Sequence, residues 1–163
     1  MKLLVIRHAQ AMDRSEALRM NLSESERPLT KRGIKAFSDS VESLYKINPK
    51  IDLILTSPLK RAHDTALLLQ KKYKHAKLDV YQSLSAGKSL STVLRRIFSD
   101  VENLAIVGHE PQLSRLISFL ISGQKESFIE LKKGAVCLIE IQGSFSKFKA
   151  ELKWLITPKI MTT

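Results

Sequence analysis

The sequence has little of several features that would indicate particular classes of protein. It contains a single cysteine, Cys137, among 163 residues, which excludes an internal disulfide and a CxxC metal clip. Its longest apolar runs, Leu3–Ile6 and Ala135–Ile139, are far shorter than the roughly 20 residues of a membrane-spanning helix. Only four apolar residues follow Met1 and Lys2, so no secretory leader is expected. These absences predict a soluble cytoplasmic protein without a membrane partner.

Acidic and aromatic residues are also scarce. The chain carries 27 lysines and arginines against 16 aspartates and glutamates, a formal net charge of +11. Such a charge attracts anions, whether nucleic acid, a phosphorylated partner or an acidic protein surface, and it does not choose among them. Aromatic residues make up 6% of the chain and no RNA- or DNA-binding signature is recognised, so we expect no nucleic-acid partner. A basic binding module without catalysis stays open at this point.

What the sequence does contain is an alternation of apolar, strand-like segments with amphipathic segments. Strands are predicted at residues 3–7, 52–56, 78–81, 104–107, 135–141 and 149–156. Helices are predicted at residues 31–47, 58–73, 90–101 and 111–121. This order predicts one α/β domain over residues 1–163: a three-layer α/β/α arrangement with a largely parallel central sheet and an antiparallel edge. The polar residues 9–27 predict a functional loop or lid containing a short helix.

Local signals refine two of the helices. Thr30 is expected to cap the first. The inward face of that helix is expected to carry Ile34, Phe37, Val41, Leu44 and Tyr45. Gly33 lies in its first turn, where glycine costs about 1 kcal/mol relative to alanine, so close packing is expected there. Ser57 and Pro58 are expected to cap and begin the second helix.

Residues capable of phosphate chemistry collect at the ends of the predicted strands. Arg7 and His8 end the first strand, and His109 follows the strand at 104–107. Arg61 lies one turn into the helix that follows the second strand. Because ligands of open α/β sheets bind outside the carboxyl ends of the strands, we expect one site. Near a helix N-terminus the macrodipole disfavours the cation of Arg61 by roughly 0.3–1 kcal/mol, which indicates an anionic ligand.

Two arginines, two histidines and helix N-terminal amides are typical of a phosphate pocket. A neutral imidazole can attack phosphorus and form a covalent phosphohistidine. The nearby guanidinium groups are expected to lower the pKa of that histidine and keep it neutral at pH 7. The arginines would hold the phosphoryl oxygens while charge develops, and water would attack the intermediate in a second step. This chemistry needs no metal and no other cofactor, and the sequence contains no metal-binding motif.

Three segments resemble the motifs of the histidine phosphatase superfamily in order. They are Arg7-His8-Ala9, residues 57–65 (SPLKRAHDT) and residues 108–111 (GHEP), which resemble RHG, SPxxRAxxT and GHxP. Residues 27–33 (RPLTKRG) are similar to the RxLTxxG segment of the same family. The short chain most resembles the SixA-type phosphohistidine phosphatases within the phosphoglycerate mutase-like branch.

The resemblance implies a role for each matched residue. His8 would be the nucleophile that is transiently phosphorylated. Arg7 and Arg61 would bind the phosphoryl group of the substrate. His109 would stabilise the transferring group from the opposite side. The implied protein is a metal-independent hydrolase that acts through a phosphohistidine intermediate.

The chain departs from the RHG motif at its third position, where it has Ala9 instead of glycine. A methyl group is tolerable there unless the backbone needs a positive φ or the phosphate approaches very closely. Within the second motif, Ser57 and Thr65 are expected to cap and pack the helix that carries Arg61, and not to take part in the chemistry.

A second departure concerns the general acid. Mutases and phosphomonoesterases of this branch have a Glu after the strand predicted at 78–81, whereas the nearest counterparts here are Gln82 and Ser83. An alkoxide leaving group needs a proton, typically worth about 10²–10⁴-fold in rate, and an imidazole depends less on an enzymic acid. The missing Glu therefore favours phosphohistidine in a protein, such as a phosphotransfer domain. A small phosphate ester or phosphoamide stays open, with Asp13 or Glu110 as the acid.

Overall fold

The computed structural model of the chain describes residues 1–85, 89–98 and 101–162, and it contains one six-stranded sheet with helices on both faces. The strands are β1 (Lys2–Arg7), β2 (Leu53–Thr56), β3 (Lys77–Val80), β4 (Asn103–Gly108), β5 (Val136–Ser144) and β6 (Lys147–Ile156). The helices are α1 (Arg14–Arg19), α2 (Lys31–Ile47), α3 (Lys60–Lys72), α4 (Leu90–Ile97), α5 (Gln112–Ser122) and α6 (Pro158–Met161). The end predicted for α4 includes residues 99 and 100, which lie outside the described residues.

The sheet confirms the predicted α/β fold with a largely parallel sheet and an antiparallel edge. Its strand order is β3-β2-β4-β1-β5-β6. β1 and β4, β4 and β2, and β2 and β3 pair in parallel. β5 pairs antiparallel with β1, and β6 pairs antiparallel with β5. The interiors of the central strands β1, β2 and β4 are apolar, as strands with helices on both faces require.

The alternation of side chains along β1 shows how the two faces are filled. Leu4 and Ile6 pack on the face covered by α2, α3 and α6, and Leu3 and Val5 pack on the face covered by α4 and α5. All four side chains are buried. Since successive residues of a strand point to opposite faces, a run of apolar residues is what a strand between two helical layers requires.

The N-terminal end of α2 lies against the segment that follows β1. The Thr30 hydroxyl accepts a hydrogen bond from the Gly33 N–H at 2.9 Å, which confirms the predicted cap. A Cβ atom on Gly33 would lie 2.2 Å from the carbonyl oxygen of Gln10, so glycine is needed for this close approach. The prediction that Ile34 and Tyr45 belong to the inward face of α2 is wrong, because both side chains are exposed.

Helix α3 begins later than predicted. Its N-cap is Leu59, so Pro58 precedes the helix and does not occupy its first turn. The short helix α6 was not predicted. The two strands of the C-terminal hairpin extend further than expected, so that a tight turn joins Ser144 to Lys147. Within the described ranges, no helix has both the length and the apolar character that a membrane crossing requires.

Candidate active site

Three parallel strands end side by side, and this brings the residues after them together. Arg7 at the end of β1 pairs with Gly108 of β4, and β2 pairs with the other edge of β4. The residues that directly follow these three strands are His8, Ser57 and His109. The predicted convergence at the carboxyl edge of the sheet is therefore present in the structure.

The His8 ring is buried, with 5% of its surface exposed, and both of its nitrogens have partners. Nδ1 lies 2.7 Å from the carbonyl oxygen of Ala9, so the ring donates its proton there. On the opposite side of the ring, Nε of Arg61 donates to Nε2 at 3.3 Å. These two hydrogen bonds assign the proton to Nδ1 and the lone pair to Nε2, which gives Nε2 the character of a nucleophile.

The electrostatic surroundings keep His8 neutral. Its pKa is lowered from 6.5 to about 4, first by burial, while the hydrogen bond to Ala9 raises it and the charges of Arg61 and Arg7 lower it further. The guanidinium groups were expected to cause this shift, but burial is the larger cause. The imidazole is therefore uncharged at pH 7, as nucleophilic attack requires.

The His109 ring faces His8, with the two ring centroids 5.1 Å apart. Its Nε2 lies 2.8 Å from the Ser57 hydroxyl. Its pKa is lowered to about 3, first by burial and then by the positive charge that the His8 ring carries once it is protonated in acid. The N–H of Leu59 donates to the same hydroxyl oxygen, which favours donation of the Ser57 hydrogen to Nε2. The imidazole proton of His109 is then on Nδ1.

Ser57 and Thr65 hold parts of the site in place. The prediction that Ser57 caps the following helix is wrong, since Leu59 is the N-cap and the Ser57 hydroxyl contacts His109. The hydroxyl of Thr65 accepts the N–H of Ala9 at 3.0 Å and donates to the carbonyl of Arg61 at 2.7 Å. Thr65 therefore joins the backbone beside His8 to the helix that carries Arg61.

The two predicted phosphate-binding arginines both lie at this site. Nη1 of Arg7 donates to the carbonyl of Leu131 at 2.8 Å. Among the described residues, Nε of Arg7, Nε of Arg27 and Nδ1 of His109 are buried without a hydrogen-bond partner. An unpaired buried polar group costs roughly 1–3 kcal/mol. Three in one place indicate a functional site rather than a stabilising network.

These residues surround a cavity of about 550 Å³, which we call the catalytic pocket. It is lined by Arg7, His8, Asp13, Arg14, Ser15, Glu24, Arg27, Arg61, His109, Glu110 and Lys133. Arg14, Glu24 and Lys133 were not singled out from the sequence, and Arg27 was noted only as part of a motif. Five of the eleven lining residues come from residues 9–27, the segment predicted as a functional loop. The long polar loop was therefore the sequence feature from which these five pocket residues could have been predicted.

Asp13 and Glu110, the two candidate general acids from the sequence analysis, both line the pocket. Glu110 accepts a hydrogen bond from the N–H of Ser114 at 3.1 Å, at the start of α5. Asp13 is exposed and is the N-cap residue of α1, but its side chain makes no capping hydrogen bond. Gln82 and Ser83 lie in a short 3₁₀ turn and do not line the pocket.

Ala9 fits the third position of the first motif without strain. Asn21 is the one residue other than glycine with a positive φ in the described ranges, so Ala9 has ordinary backbone geometry. Its methyl group is buried in the core on the α2 side of the sheet. The described part of the chain contains no group of three or more histidine, cysteine, aspartate or glutamate side chains placed to hold a metal ion.

Comparison with known proteins gives both family and fold. A family model described as histidine phosphatase superfamily (branch 1) matches residues 3–86. An uncharacterized protein of a Picosynechococcus strain is 29% identical over 167 residues, covering 98% of this chain and 98% of that protein.

Several solved structures are similar along nearly the whole chain. The protein histidine phosphatase SixA complexed with tungstate superposes with a TM-score of 0.81 at 20% identity and covers 99% of each chain. The α-ribazole phosphatase from Shigella flexneri superposes with a TM-score of 0.70 at 21% identity and covers 97% of each chain. At these identities, the likeness concerns the fold.

Proposed function

The chain belongs to branch 1 of the histidine phosphatase superfamily, and we propose that its substrate is a phosphohistidine side chain of another protein. As a member of this superfamily the chain is a phosphatase, whereas its substrate and the roles of its residues are proposals. Support for the fold comes from its likeness to the protein histidine phosphatase SixA. The observation that carries the choice of substrate is the set of hydrogen bonds and ion pairs that the carboxylates around the pocket make.

In the proposed first step, Nε2 of His8 attacks phosphorus in line. The N–P bond of the substrate breaks, the phosphoryl group is transferred to Nε2 of His8, and the substrate ring, which carries a proton on its other nitrogen, leaves as neutral imidazole. Arg7 and Arg61 bind the phosphoryl oxygens, and Nδ1–H of His109 donates to them from the opposite side. The lone pair on Nε2 and the low pKa of His8 support this role.

In the second step, water attacks the phosphorus of the phosphorylated His8. The N–P bond to His8 breaks, inorganic phosphate leaves, and the ring returns to its neutral form with the lone pair on Nε2. The same arginines hold the oxygens in both steps because both transition states spread charge over them. No metal or cofactor takes part.

The carboxylates of the pocket favour an imidazole as the leaving group. Glu110 accepts the N–H of Ser114, and Glu24 forms ion pairs with guanidinium groups, so both act as acceptors. A general acid must instead donate a proton to the leaving oxygen of an ester. A departing imidazole places less demand on such a donor, and this supports phosphohistidine over an ester.

A basic cavity next to the catalytic pocket supports a protein as the partner. This docking cavity also measures about 550 Å³, and Lys133 lines both cavities. Among the described residues, its lining contains Arg32, Lys132, Lys133 and Lys159 and no aspartate or glutamate side chain. Within the described ranges, no carboxylate forms an ion pair with Arg32, Lys132 or Lys133. An acidic surface around the phosphohistidine would complement these charges.

One observation favours the alternative, a small phosphate ester or phosphoamide. Asp13 lies at the edge of the pocket and makes no capping hydrogen bond, so its carboxyl group is available as a proton donor. A related fold is also found in an α-ribazole phosphatase.

The experiment that separates the two substrates is a comparison of kcat/KM. The substrates are a phosphorylated histidine-containing domain, phosphoramidate and a sugar phosphate, an alkyl ester whose alkoxide leaving group needs a proton, with His8→Asn as the blank. We expect the phosphohistidine protein to exceed the sugar phosphate by about 100-fold or more, within the range that general-acid assistance spans. Equal or faster hydrolysis of the ester would contradict the proposed substrate.

A further inference from the structure

Glu24 lies in the wall of the catalytic pocket, and three arginines surround its carboxylate. Oε1 lies 3.1 Å from Nη2 of Arg61, and Oε2 lies 3.3 Å from Nη1 of Arg27. Nε of Arg14 lies 3.5 Å from the same Oε2. Guanidinium groups bind carboxylates and phosphates through the same planar set of donors. The carboxylate therefore holds donors that a phosphoryl group would use.

The turn that carries Glu24 is fixed to helix α3 through its backbone. The N–H of Lys60 donates to the carbonyl of Ser25 at 2.9 Å, and Nη1 of Arg61 donates to the carbonyl of Glu24 at 2.8 Å. Within the turn, Glu26 accepts hydrogen bonds from both the N–H and the hydroxyl of Ser23. These contacts do not involve the Glu24 carboxylate. The turn can therefore stay in place while that side chain moves.

The contacts of Arg61 join Glu24 to the nucleophile. Arg61 is buried, its Nε donates to Nε2 of His8, and both of its terminal nitrogens face Glu24. Glu24 is much less enclosed, since 45% of its side chain is exposed. Of the two partners, the carboxylate is thus the one that can swing into solvent and leave Arg61 in the pocket.

We propose that Glu24 is an internal anion that competes with the phosphoryl group for Arg61, Arg27 and Arg14, and thereby sets how tightly the pocket holds phosphate. This inference rests on the proposed binding of a phosphoryl group in the catalytic pocket. When a phosphoryl group binds, its oxygens replace the Glu24 carboxylate on Arg61. When inorganic phosphate leaves, the carboxylate returns.

Competition of this kind would keep product from accumulating on the enzyme. A pocket with four arginines and Lys133 would bind inorganic phosphate strongly if no carboxylate opposed it. Substrate gains further contacts outside the pocket, whereas free phosphate does not. Glu24 therefore lowers the affinity for product with less effect on a protein substrate.

The test is the affinity of the full chain for tungstate and inorganic phosphate, measured by titration calorimetry. Glu24→Gln keeps the size and the backbone contacts of the residue and removes its charge. Glu26→Gln is the matched control, because it removes the same charge from the same turn and Glu26 forms no ion pair with an arginine in the described structure. Arg61→Ala reports whether the oxyanion binds in the pocket at all.

We expect Glu24→Gln to bind both oxyanions about tenfold more tightly than the wild-type chain, and Glu26→Gln to stay within about twofold. Inhibition of turnover by added phosphate should strengthen in the same proportion. Unchanged or weaker binding by Glu24→Gln, with binding still lost in Arg61→Ala, would overturn the role of Glu24 and leave the phosphoryl site intact. If Arg61→Ala binds the two oxyanions as tightly as the wild-type chain does, that result would instead contradict the proposed phosphoryl site itself.

Discussion

Nε of Arg61 donates a hydrogen bond to Nε2 of His8 across 3.3 Å, although 53 positions separate the two residues in the chain. The contact joins the residue after β1 to the first turn of α3. It places a permanent cation beside the atom with the lone pair, so a phosphoryl group bound to Arg61 would lie next to His8, the proposed nucleophile. Proximity of this kind supplies much of the catalysis in phosphoryl transfer.

The two buried histidines should make the protein less stable in mild acid. The pKa values of His8 and His109 are about 4 and 3 in the folded chain, against 6.5 for an ordinary histidine. The unfolded chain therefore binds protons on these rings at a higher pH than the folded chain, and acid favours unfolding. Each ring should cost about 2 kcal/mol of unfolding free energy between pH 7 and pH 5.

Urea unfolding of the wild type, His8→Asn and His109→Asn at pH 7 and pH 5 checks this. Each variant should lose about 2 kcal/mol less than the wild type on acidification. An equal loss in all three proteins would show that the rings do not titrate as described.

Ser57→Ala should impair catalysis through the orientation and tautomer of His109. The hydroxyl lies 2.8 Å from Nε2 of that ring, and without it the proton on Nδ1 is no longer specified. We expect kcat to fall about tenfold with KM nearly unchanged. Nitrogen NMR of His109 should show a changed tautomer distribution, which a general loss of stability would not produce.

The control for this substitution is Ser40→Ala. Ser40 is also a buried serine, and its hydroxyl donates to the carbonyl of Ala36 on α2. It should lose stability without a change in the His109 tautomer. A normal His109 tautomer and a normal kcat in Ser57→Ala would contradict the role of Ser57 in orienting His109.

Lys132→Ala should weaken binding of a phosphoprotein without affecting a small substrate. Lys132 lines the docking cavity and not the catalytic pocket. We expect KM for a phosphorylated histidine domain to rise about threefold, and KM for phosphoramidate to stay unchanged. Lys147→Ala in the hairpin turn region is the control for the loss of one charge. An equal effect of both variants would indicate general attraction and no docking cavity.

Gly33→Ala should destabilise the protein, although alanine is the better helix former by about 1 kcal/mol. The new methyl group would lie 2.2 Å from the carbonyl oxygen of Gln10, two residues after His8. We expect a net loss of about 2 kcal/mol in thermal or urea unfolding, together with reduced activity. Lys31→Ala at the exposed start of the same helix should change little, and a stabilised Gly33→Ala would disprove the close contact.

The parts that could be predicted are those with local signals. Apolar strands followed by polar residues gave the strand ends, and parallel pairing then required Arg7, His8 and His109 to meet at one edge. Thr30 and the glycine three residues later indicated the start of α2. In each case the residues that determine the feature are close together in the sequence.

Other features depend on contacts between distant segments and have no local signal. Ser57 before a proline resembles an N-cap, but its hydroxyl faces His109, which is 52 positions away. Glu24 lies in a polar segment without periodicity, and only the folded chain places it against Arg61 and Arg14. The exposure of Tyr45 also depends on a distant segment, because its ring packs at the edge of α2 against the ring of Tyr73.

Trapping of the covalent intermediate tests the central claim most directly. The wild-type chain is mixed for milliseconds with a phosphohistidine protein labelled at phosphorus, stopped in alkali where phosphohistidine survives, and the labelled peptide is identified by mass spectrometry. We predict label on His8, formed as fast as the substrate disappears, and none in His8→Asn. Label at any other residue, or turnover that persists in His8→Asn, would contradict the account.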